Sequence, residues 1–293
     1  MANFCSHIIM AEKLYSKLRN KNSVDKDFMK LFSLGQDLTF SSRSFFKETH
    51  TYNSRAFFIN TIKYIKDNNL ENNSQVMAYL YGHISHYAFD ITIHPFVGEI
   101  LNEIKTKSFI KPHTYLECEM DKYLIKKYGN IDYSFFNNKY TSNKDLKKLI
   151  NTTYRETYIR FSANNIYIQS IFIIKLARRI LNILYKRKKV LNKLSRINSY
   201  DFNSNFYKYI NSSKLLKKYN MNNIFKSSIK LSLSIVKTVD NYLYKDKDIY
   251  TLYKVFDDTP YDVGVIKDVD YDYNKIPVRY NYPLKRTISQ NKF

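Results

Sequence analysis

The segment from Gly82 to His94 constrains the fold more than any other part of the chain, because it combines several histidines with one carboxylate. His86 and Asp90 are four residues apart, and so are Asp90 and His94. In an α-helix, residues four apart lie on one face, one turn above the other. At ~100° per residue, His83 and these three residues would span an arc of about 80°. The segment therefore predicts a helix that presents three imidazoles and one carboxylate in one direction.

The composition also favours helices. The chain of 293 residues contains only five glycines and five prolines, whereas sandwich and barrel folds need many turn residues. Its hydrophobic content of 44% is enough for one large domain with room for a small appendage. We predict an all-α fold, a multi-helix bundle over residues 1–245. Residues 246–293 have several prolines and poor periodicity, and predict an irregular tail packed on the bundle or extending from it.

Apolar periodicity and helix-stop residues predict the individual helices. Gly35 is expected to close the second helix and Pro95 the fourth, while Pro112 suits the first turn of the fifth. Asp37 and His50 are expected in the polar loop between the second and third helices. The predicted helices cover residues 5–20, 24–34, 53–68, 74–94, 112–128, 144–160, 165–197 and 224–244.

A second histidine–carboxylate pair repeats the helical spacing, since His113 and Glu117 are also four residues apart. Imidazole nitrogens and carboxylate oxygens together suit Zn²⁺. One such pair is more often a surface pair or a satisfied buried histidine than a ligand pair. Two pairs, one of them extended by His94, favour a metal cluster between the helices of the bundle.

The order of these residues along the chain resembles the ligand order of the bacterial zinc-dependent phospholipase C family. That family binds zinc in a helical bundle through a histidine near the N-terminus, then Asp, His, His-x3-Asp, His and His-x3-Glu. The resemblance covers the part of the chain up to residue 125. The matching positions are His7, Asp37, His50, His86, Asp90, His94, His113 and Glu117.

The resemblance implies one Zn²⁺ held by Asp37, His50, His86 and Asp90, and a second held by His94, His113 and Glu117. His7 and Asp90 would help to hold a third ion, and Asp37 would act as general base on the attacking water. In the secreted relatives the third ion also uses a processed N-terminal tryptophan, and this chain has no tryptophan. Two ions are therefore expected, and a third depends on His7. His83 has no place in this order. Its role is interpreted as packing, support of a ligand, or contact with the substrate phosphate.

The function implied by the resemblance is a zinc-dependent hydrolase that cleaves the phosphodiester of glycerophospholipids and releases a phosphorylated head group. Closely spaced metal ions clamp and polarise a phosphoryl group. Single-stranded nucleic acid is the alternative substrate, because fungal zinc nucleases share this general fold and metal chemistry. Their ligand series ends in His-x3-Asp, so Glu117 favours the phospholipase. A non-catalytic, metal-stabilised protein is a further alternative, although a structural zinc needs only four ligands.

The formal net charge of +22 should attract anionic surfaces, whether phospholipid or nucleic acid. Basic residues from Arg178 to Arg196 crowd the second half of the helix predicted at 165–197. They predict either peripheral docking on an anionic membrane or a solvated face of the bundle. The chain start does not resemble a signal peptide, and the most apolar stretch, Ile166 to Tyr185, carries basic residues. We expect no transmembrane segment and a cytoplasmic location, with non-classical release as the alternative.

Overall fold

The chain is described here from a computed structural model, in which all regular structure of the described residues is helical. Those residues are 4–103, 112–129, 131–137, 142–160, 162–186, 221–258 and 261. Within them, the side chains of 98–103, 112–116, 118, 119, 122 and 178–186 are not described. The predicted all-α fold is confirmed.

Ten α-helices follow one another along the described part of the chain. They are α1 (Phe4–Tyr15), α2 (Lys26–Phe32), α3 (Arg43–Thr51), α4 (Ser54–Asp67), α5 (Ser74–Glu103), α6 (Pro112–Tyr128), α7 (Lys144–Tyr158), α8 (Ala163–Lys186), α9 (Met221–Lys245) and α10 (Tyr250–Tyr253). Short 3-10 turns cover Lys21–Ser23, Gly35–Thr39 and Ser134–Asn137.

Helix α5 is the central element, and every residue from 76 to 97 is buried. Helices α1, α2, α4, α6, α7 and α9 pack around it. Between residues 76 and 97 it has no polar face because no side of this stretch meets water, which is the expected pattern for a helix buried all round. The polar groups that it does carry, including His86 and Asp90, are therefore buried as well.

Side-chain caps fix where several helices begin. The Asp25 carboxylate accepts hydrogen bonds from the N–H groups of Asp27 and Phe28, both at 3.0 Å, at the start of α2. The Asn143 side chain accepts one from Leu146 N–H at 3.0 Å at the start of α7. Such caps satisfy N–H groups that have no partner inside the helix.

The prediction that Pro95 ends the fourth helix is wrong, because α5 continues through this proline to Glu103. Proline removes one hydrogen bond of the helix and is unfavourable by ~3 kcal/mol in its interior. Here tertiary packing outweighs that penalty. Phe96 and Val97, directly after the proline, are buried in an apolar cluster to which α1, α6 and α9 contribute.

The described end of the chain packs onto the bundle. Helix α10 is a single turn within the segment expected to be irregular, and Phe256 stacks on Phe58 with ring centroids 4.3 Å apart. The division of the chain at residue 245 stays a prediction. The stretch predicted as helix from 187 to 197 lies outside the described residues. Among the helices that are described, none combines the length and the apolar character needed to span a membrane.

Candidate metal centre

Helix α5 presents its predicted ligand face to the interior of the bundle. His86 Nε2 lies 3.1 Å from Asp90 Oδ2, as the four-residue spacing requires. One turn further on, His94 Nε2 lies 3.5 Å from Glu117 Oε1 on α6. The side chains of His86, Asp90 and His94 are almost inaccessible to water. Both pairs are thus carboxylate–imidazole contacts removed from solvent.

Helix α1 brings His7 to the same face. Its first turn is held by Asp121 of α6, whose carboxylate accepts from the N–H groups of Cys5 and Ser6 at 3.3 and 2.8 Å and from the Ser6 hydroxyl. His7 Nε2 consequently lies 3.3 Å from Asp90 Oδ1, and the His7 and His86 ring centroids are 4.3 Å apart. A carboxylate on α6 therefore positions a candidate ligand on α1.

Asp37 and His50 complete the group from the other side. Asp37 lies in the 3-10 turn Gly35–Thr39, and its Oδ1 is 3.1 Å from His50 Nε2. The expectation that His50 lies in a loop is wrong, because it belongs to α3. This helix is only nine residues long and mostly polar, so it has few apolar residues to mark it as a helix. Burial of Phe45 and His50 against the rest of the bundle stabilises it.

Gly35 explains how the Asp37 turn approaches α5 so closely. Its φ of +50° is unfavourable for residues with a Cβ. A Cβ at this position would also lie 2.3 Å from His86 Cγ, well inside van der Waals contact. Helix α2 ends at Phe32 with Ser33 as its C-cap, so Gly35 lies just beyond the helix rather than at the predicted cap. Its function is to let the turn lie against the imidazole.

The arrangement provides two overlapping sets of metal donors. In each set, the ligand atoms lie within 4.8 Å of one another, as they would around a shared ion. One set is Asp37, His50 and His86, and the other is His7, His86 and Asp90.

The hydrogen bonds of His50 show that the first set fits a cation. His50 Nδ1 lies 2.8 Å from the carbonyl oxygen of Phe46, and a carbonyl can only accept, so Nδ1 carries the proton. In the neutral ring, Nε2 then directs its lone pair at the Asp37 carboxylate 3.1 Å away. Two acceptors facing each other need a cation or a proton between them. A carbonyl bonded to the far nitrogen is also how metal-bound histidines are commonly oriented.

The second set also contains buried ring nitrogens that need a partner. His7 Nδ1 and both ring nitrogens of His86 are buried without a hydrogen-bond partner among the described residues. Buried polar atoms without partners are unfavourable unless something else satisfies them. Nitrogen and carboxylate donors at these positions match the ligand preference of Zn²⁺.

Electrostatics keep the two central imidazoles neutral. Burial lowers the pKa of His7 to about 4, although the Asp37 carboxylate opposes that shift. Burial also lowers the pKa of His86 well below its usual range, and the neighbouring histidines His7 and His50 add to the effect. Neutral imidazole is the form that ligates metals, so neither ring needs to lose a proton first near pH 7.

The structure thus brings seven of the eight predicted ligands into one region of the described chain. The eighth, His113, lies on α6 by its backbone, but its side chain is outside the described part. The way in which these residues share zinc ions, and the role of Asp37 as general base, stay predictions.

His83 does not join the cluster although it lies on α5. Its Nδ1 is 3.0 Å from the carbonyl oxygen of Tyr79, and its Nε2 is 3.1 Å from the hydroxyl of Tyr167. Burial lowers its pKa to about 3, and the rings of Phe32 and Phe57 lie against it. These contacts agree with the packing interpretation rather than with contact to a substrate phosphate.

Sequence reasoning missed two residues beside the centre. Phe46 supplies the carbonyl that orients His50 and stacks on its ring at 4.0 Å. Tyr261, far along the chain, is buried with its ring 5.5 Å from that of His86. No motif marks either position. The four-residue spacing of Phe46 and His50 is a usable signal only once α3 is known to be a helix.

Comparison with known protein families gives one match. The model of the zinc-dependent phospholipase C family matches residues 6–160, which is more than half of the chain. The matched region begins just before His7 and extends past Glu117, so it contains every candidate ligand. Comparisons with curated proteins and with solved structures give no match.

Proposed function

Because the chain belongs to the zinc-dependent phospholipase C family, we propose that it hydrolyses the phosphodiester of glycerophospholipids at the centre formed by α1, α3, α5, α6 and the Asp37 turn. The observation that supports this most directly is the pair of overlapping donor sets that meet at His86. A single structural zinc would need only one closed set of four ligands.

The residues of the centre have distinct tasks in this proposal. Zinc held there would polarise the phosphoryl oxygens and activate the attacking water near neutral pH. His7 and His86 remain neutral, so they add no positive charge that would repel the ions. The Phe46 carbonyl keeps His50 in the tautomer whose Nε2 lone pair can bind a metal. Asp90 has one oxygen beside His7 and the other beside His86, so it would help to hold zinc together with either imidazole.

Asp37 is the proposed general base. Its side chain is 20% exposed, whereas those of His7, His50, His86 and Asp90 are at most 3% exposed, so solvent reaches the centre on the Asp37 side. A water molecule there would pass its proton to Asp37 while its oxygen bonds to phosphorus. The bond between phosphorus and the glycerol oxygen would break, and that oxygen would take a proton back from Asp37 or from solvent, which releases diacylglycerol and the phosphorylated head group.

A membrane surface is the partner we propose for α8. Four of its apolar side chains face outward: Ile168, Phe172, Ile173 and Leu176 are 40%, 62%, 38% and 46% exposed. The same helix packs against the Asp37 turn, and just after that turn Ser41 Oγ donates to the Ile166 carbonyl at 3.1 Å. The net charge of +22 complements an anionic phospholipid surface. An exposed apolar row beside a lipid-cleaving centre would seat the protein on its substrate.

Metal content and substrate are tested together. We expect purified protein to contain at least two zinc ions per chain and to release phosphorylated head groups from vesicles of phosphatidylcholine or phosphatidylinositol. Single-stranded DNA serves as the parallel substrate. His86→Ala should lose zinc and activity, because both donor sets include His86. His83→Gln is the matched control on the same helix, and it should keep its zinc content.

The results separate the alternatives. Cleavage of DNA but not of phospholipid would assign the centre to a nuclease. Zinc without either activity would indicate a metal-stabilised protein. A zinc content of one or none, or full activity of His86→Ala, would show that the assigned centre is not the catalytic one.

A further inference from the structure

Residues 256–258 and 261, the described part of the segment from Phe256 to Tyr261, lie beyond residue 160, where the family match ends. They nevertheless pack in the bundle beside the metal centre. The hydroxyl of Ser54 donates to the carbonyl of Asp257 at 2.7 Å, and the hydroxyl of Tyr87 donates to its carboxylate at 3.2 Å. Arg55 Nε donates to the Phe256 carbonyl at 3.0 Å. The segment is thus attached to both α4 and α5.

Tyr261 carries this attachment to the candidate ligands. Its N–H donates to the carbonyl of His50 at 2.8 Å, directly at the end of α3. Its ring lies 5.6 Å from the His50 ring and 5.5 Å from the His86 ring, and its side chain is 1% exposed. One residue therefore contacts the backbone of one ligand and the imidazoles of two.

Tyr261 contacts two candidate ligands, His50 and His86. They come from different helices, and their ring centroids are 6.3 Å apart at an angle of 84°. The carbonyl of Phe46 orients His50, but both nitrogens of His86 lack a hydrogen-bond partner among the described residues. The His86 ring is placed by Asp90, whose Oδ2 lies 3.1 Å from its Nε2, and by packing against the Gly35 turn, the His7 ring at 4.3 Å and the Tyr261 ring at 5.5 Å.

The phenol of Tyr261 adds no charge to the centre. Burial raises its pKa well above the usual range, and nearby Tyr158 and Asp90 raise it further. The phenol is therefore uncharged near pH 7, and it can affect zinc binding only through its packing against the ligands.

We propose that Tyr261 is a positioning residue for the metal centre, and that it holds His50 and His86 in the geometry that binds zinc, with residues 256–258 anchored nearby on α4 and α5. This inference rests on the proposal that Asp37, His50 and His86 hold a zinc ion. It assigns a role to a part of the chain that lies outside the family match.

Zinc affinity of the full chain is the direct measurement, by competition with a chromogenic chelator. Tyr261→Leu keeps an apolar side chain but is shorter and removes the flat ring, and we expect its zinc affinity to fall by about 10- to 100-fold, the range seen when groups supporting metal ligands are changed. Tyr261→Phe retains the ring and the backbone bond, and should bind zinc as the wild type does. Tyr253→Leu, on α10 and 44% exposed, is the matched control and should also be unchanged.

Thermal unfolding of the metal-free variants completes the test. If Tyr261→Leu has a lower melting temperature but unchanged zinc affinity, the residue is merely structural and the proposal is overturned. The same holds if Tyr253→Leu weakens zinc binding equally. Failure of the wild type to bind zinc would instead overturn the proposed function. Should Tyr261→Leu not fold, Tyr261→Met provides the same comparison.

Discussion

At the scale of single residues, close backbone approach is as important to the centre as the ligands themselves. Gly35 and Gly129 both have positive φ, +50° and +100°, so both use the conformational freedom of glycine. They differ in surroundings, because a Cβ at Gly35 would overlap His86 whereas a Cβ at Gly129 would meet nothing within 4 Å. The pair therefore separates the effect of backbone conformation from that of close approach.

Gly35→Ala should destabilise the protein by about 2–4 kcal/mol, because backbone strain and an overlap with His86 add together. Zinc affinity should fall as well, since the imidazole must move. Gly129→Ala should cost only about 1 kcal/mol, from its backbone conformation, and leave zinc affinity unchanged. Chemical denaturation and chelator competition measure the two quantities. Equal zinc affinity in both variants would contradict the role given to Gly35.

His83 makes the stability of the metal-free protein depend on pH. Its pKa is about 3 in the folded chain against 6.5 when unfolded, so only the unfolded state gains its proton as the pH falls below 6.5. Above pH 6.5 the ring is neutral in both the folded and the unfolded state, so this group has no effect on stability. Between pH 6.5 and 3 the free energy of unfolding falls progressively, because only the unfolded state binds the proton.

Between pH 6.5 and 5, wild type should therefore lose about 1.5 kcal/mol more unfolding free energy than His83→Gln does. Denaturant titrations in the presence of a chelator give the two curves. The difference between the two proteins gives the contribution of His83 to the pH dependence, because His7 and His86 are present in both. Parallel curves for wild type and variant would contradict this assignment.

At the scale of elements, the helices that carry the functional residues differ greatly in how clearly the sequence predicts them. Helix α5 has a clear spacing of ligands and is buried from 76 to 97. Helix α3 is short and mostly polar, and burial of Phe45 and His50 by the other helices stabilises it. Helix α8 combines a buried face, including Tyr167 and Ile171, with an apolar face that remains exposed.

The exposed face of α8 gives a prediction about membranes. Phe172→Ser combined with Leu176→Ser should weaken binding to anionic phospholipid vesicles by on the order of tenfold, because two apolar anchors are removed. Hydrolysis of a short-chain, monomeric phospholipid should be unchanged. Tyr250→Ser is the control, because Tyr250 is 70% exposed but lies on α10. Vesicle sedimentation measures binding, and an undiminished affinity of the double variant would remove α8 from the interface.

At the scale of the whole molecule, the metal centre joins helices that are distant in sequence. His7, His50 and His86 belong to α1, α3 and α5, so zinc bound among them links three helices. A ligand that binds only the folded state stabilises it by an amount that depends on its concentration relative to its dissociation constant.

Removal of zinc by a chelator should therefore lower the melting temperature. At free zinc about a hundredfold above the dissociation constant, the stabilisation is ~2.7 kcal/mol, which corresponds to about 5 °C or more in a chain of this size. Addition of zinc should restore the transition, whereas magnesium should not, because it prefers oxygen ligands. Identical melting curves with and without zinc would show that the ions do not link the helices.

The sequence by itself determined the class of fold and the ligand face of α5, whereas His7, Asp37 and His50 became candidate ligands only through the resemblance to the family. Low glycine and proline content predicted helices, and the spacing of His86, Asp90 and His94 placed them on one helix face. That shared face follows from backbone periodicity, which is local. For the same reason the predicted helix boundaries are mostly within a few residues of those observed.

Only the tertiary structure decided the features that depend on contacts between distant segments. The continuation of α5 through Pro95, the helical state of His50 and the close approach of Gly35 to His86 all result from packing. Tyr261 reaches His50 across more than two hundred residues of chain. Local propensity carries no information about such a contact, because its free energy comes from burial that exists only when the whole bundle has formed.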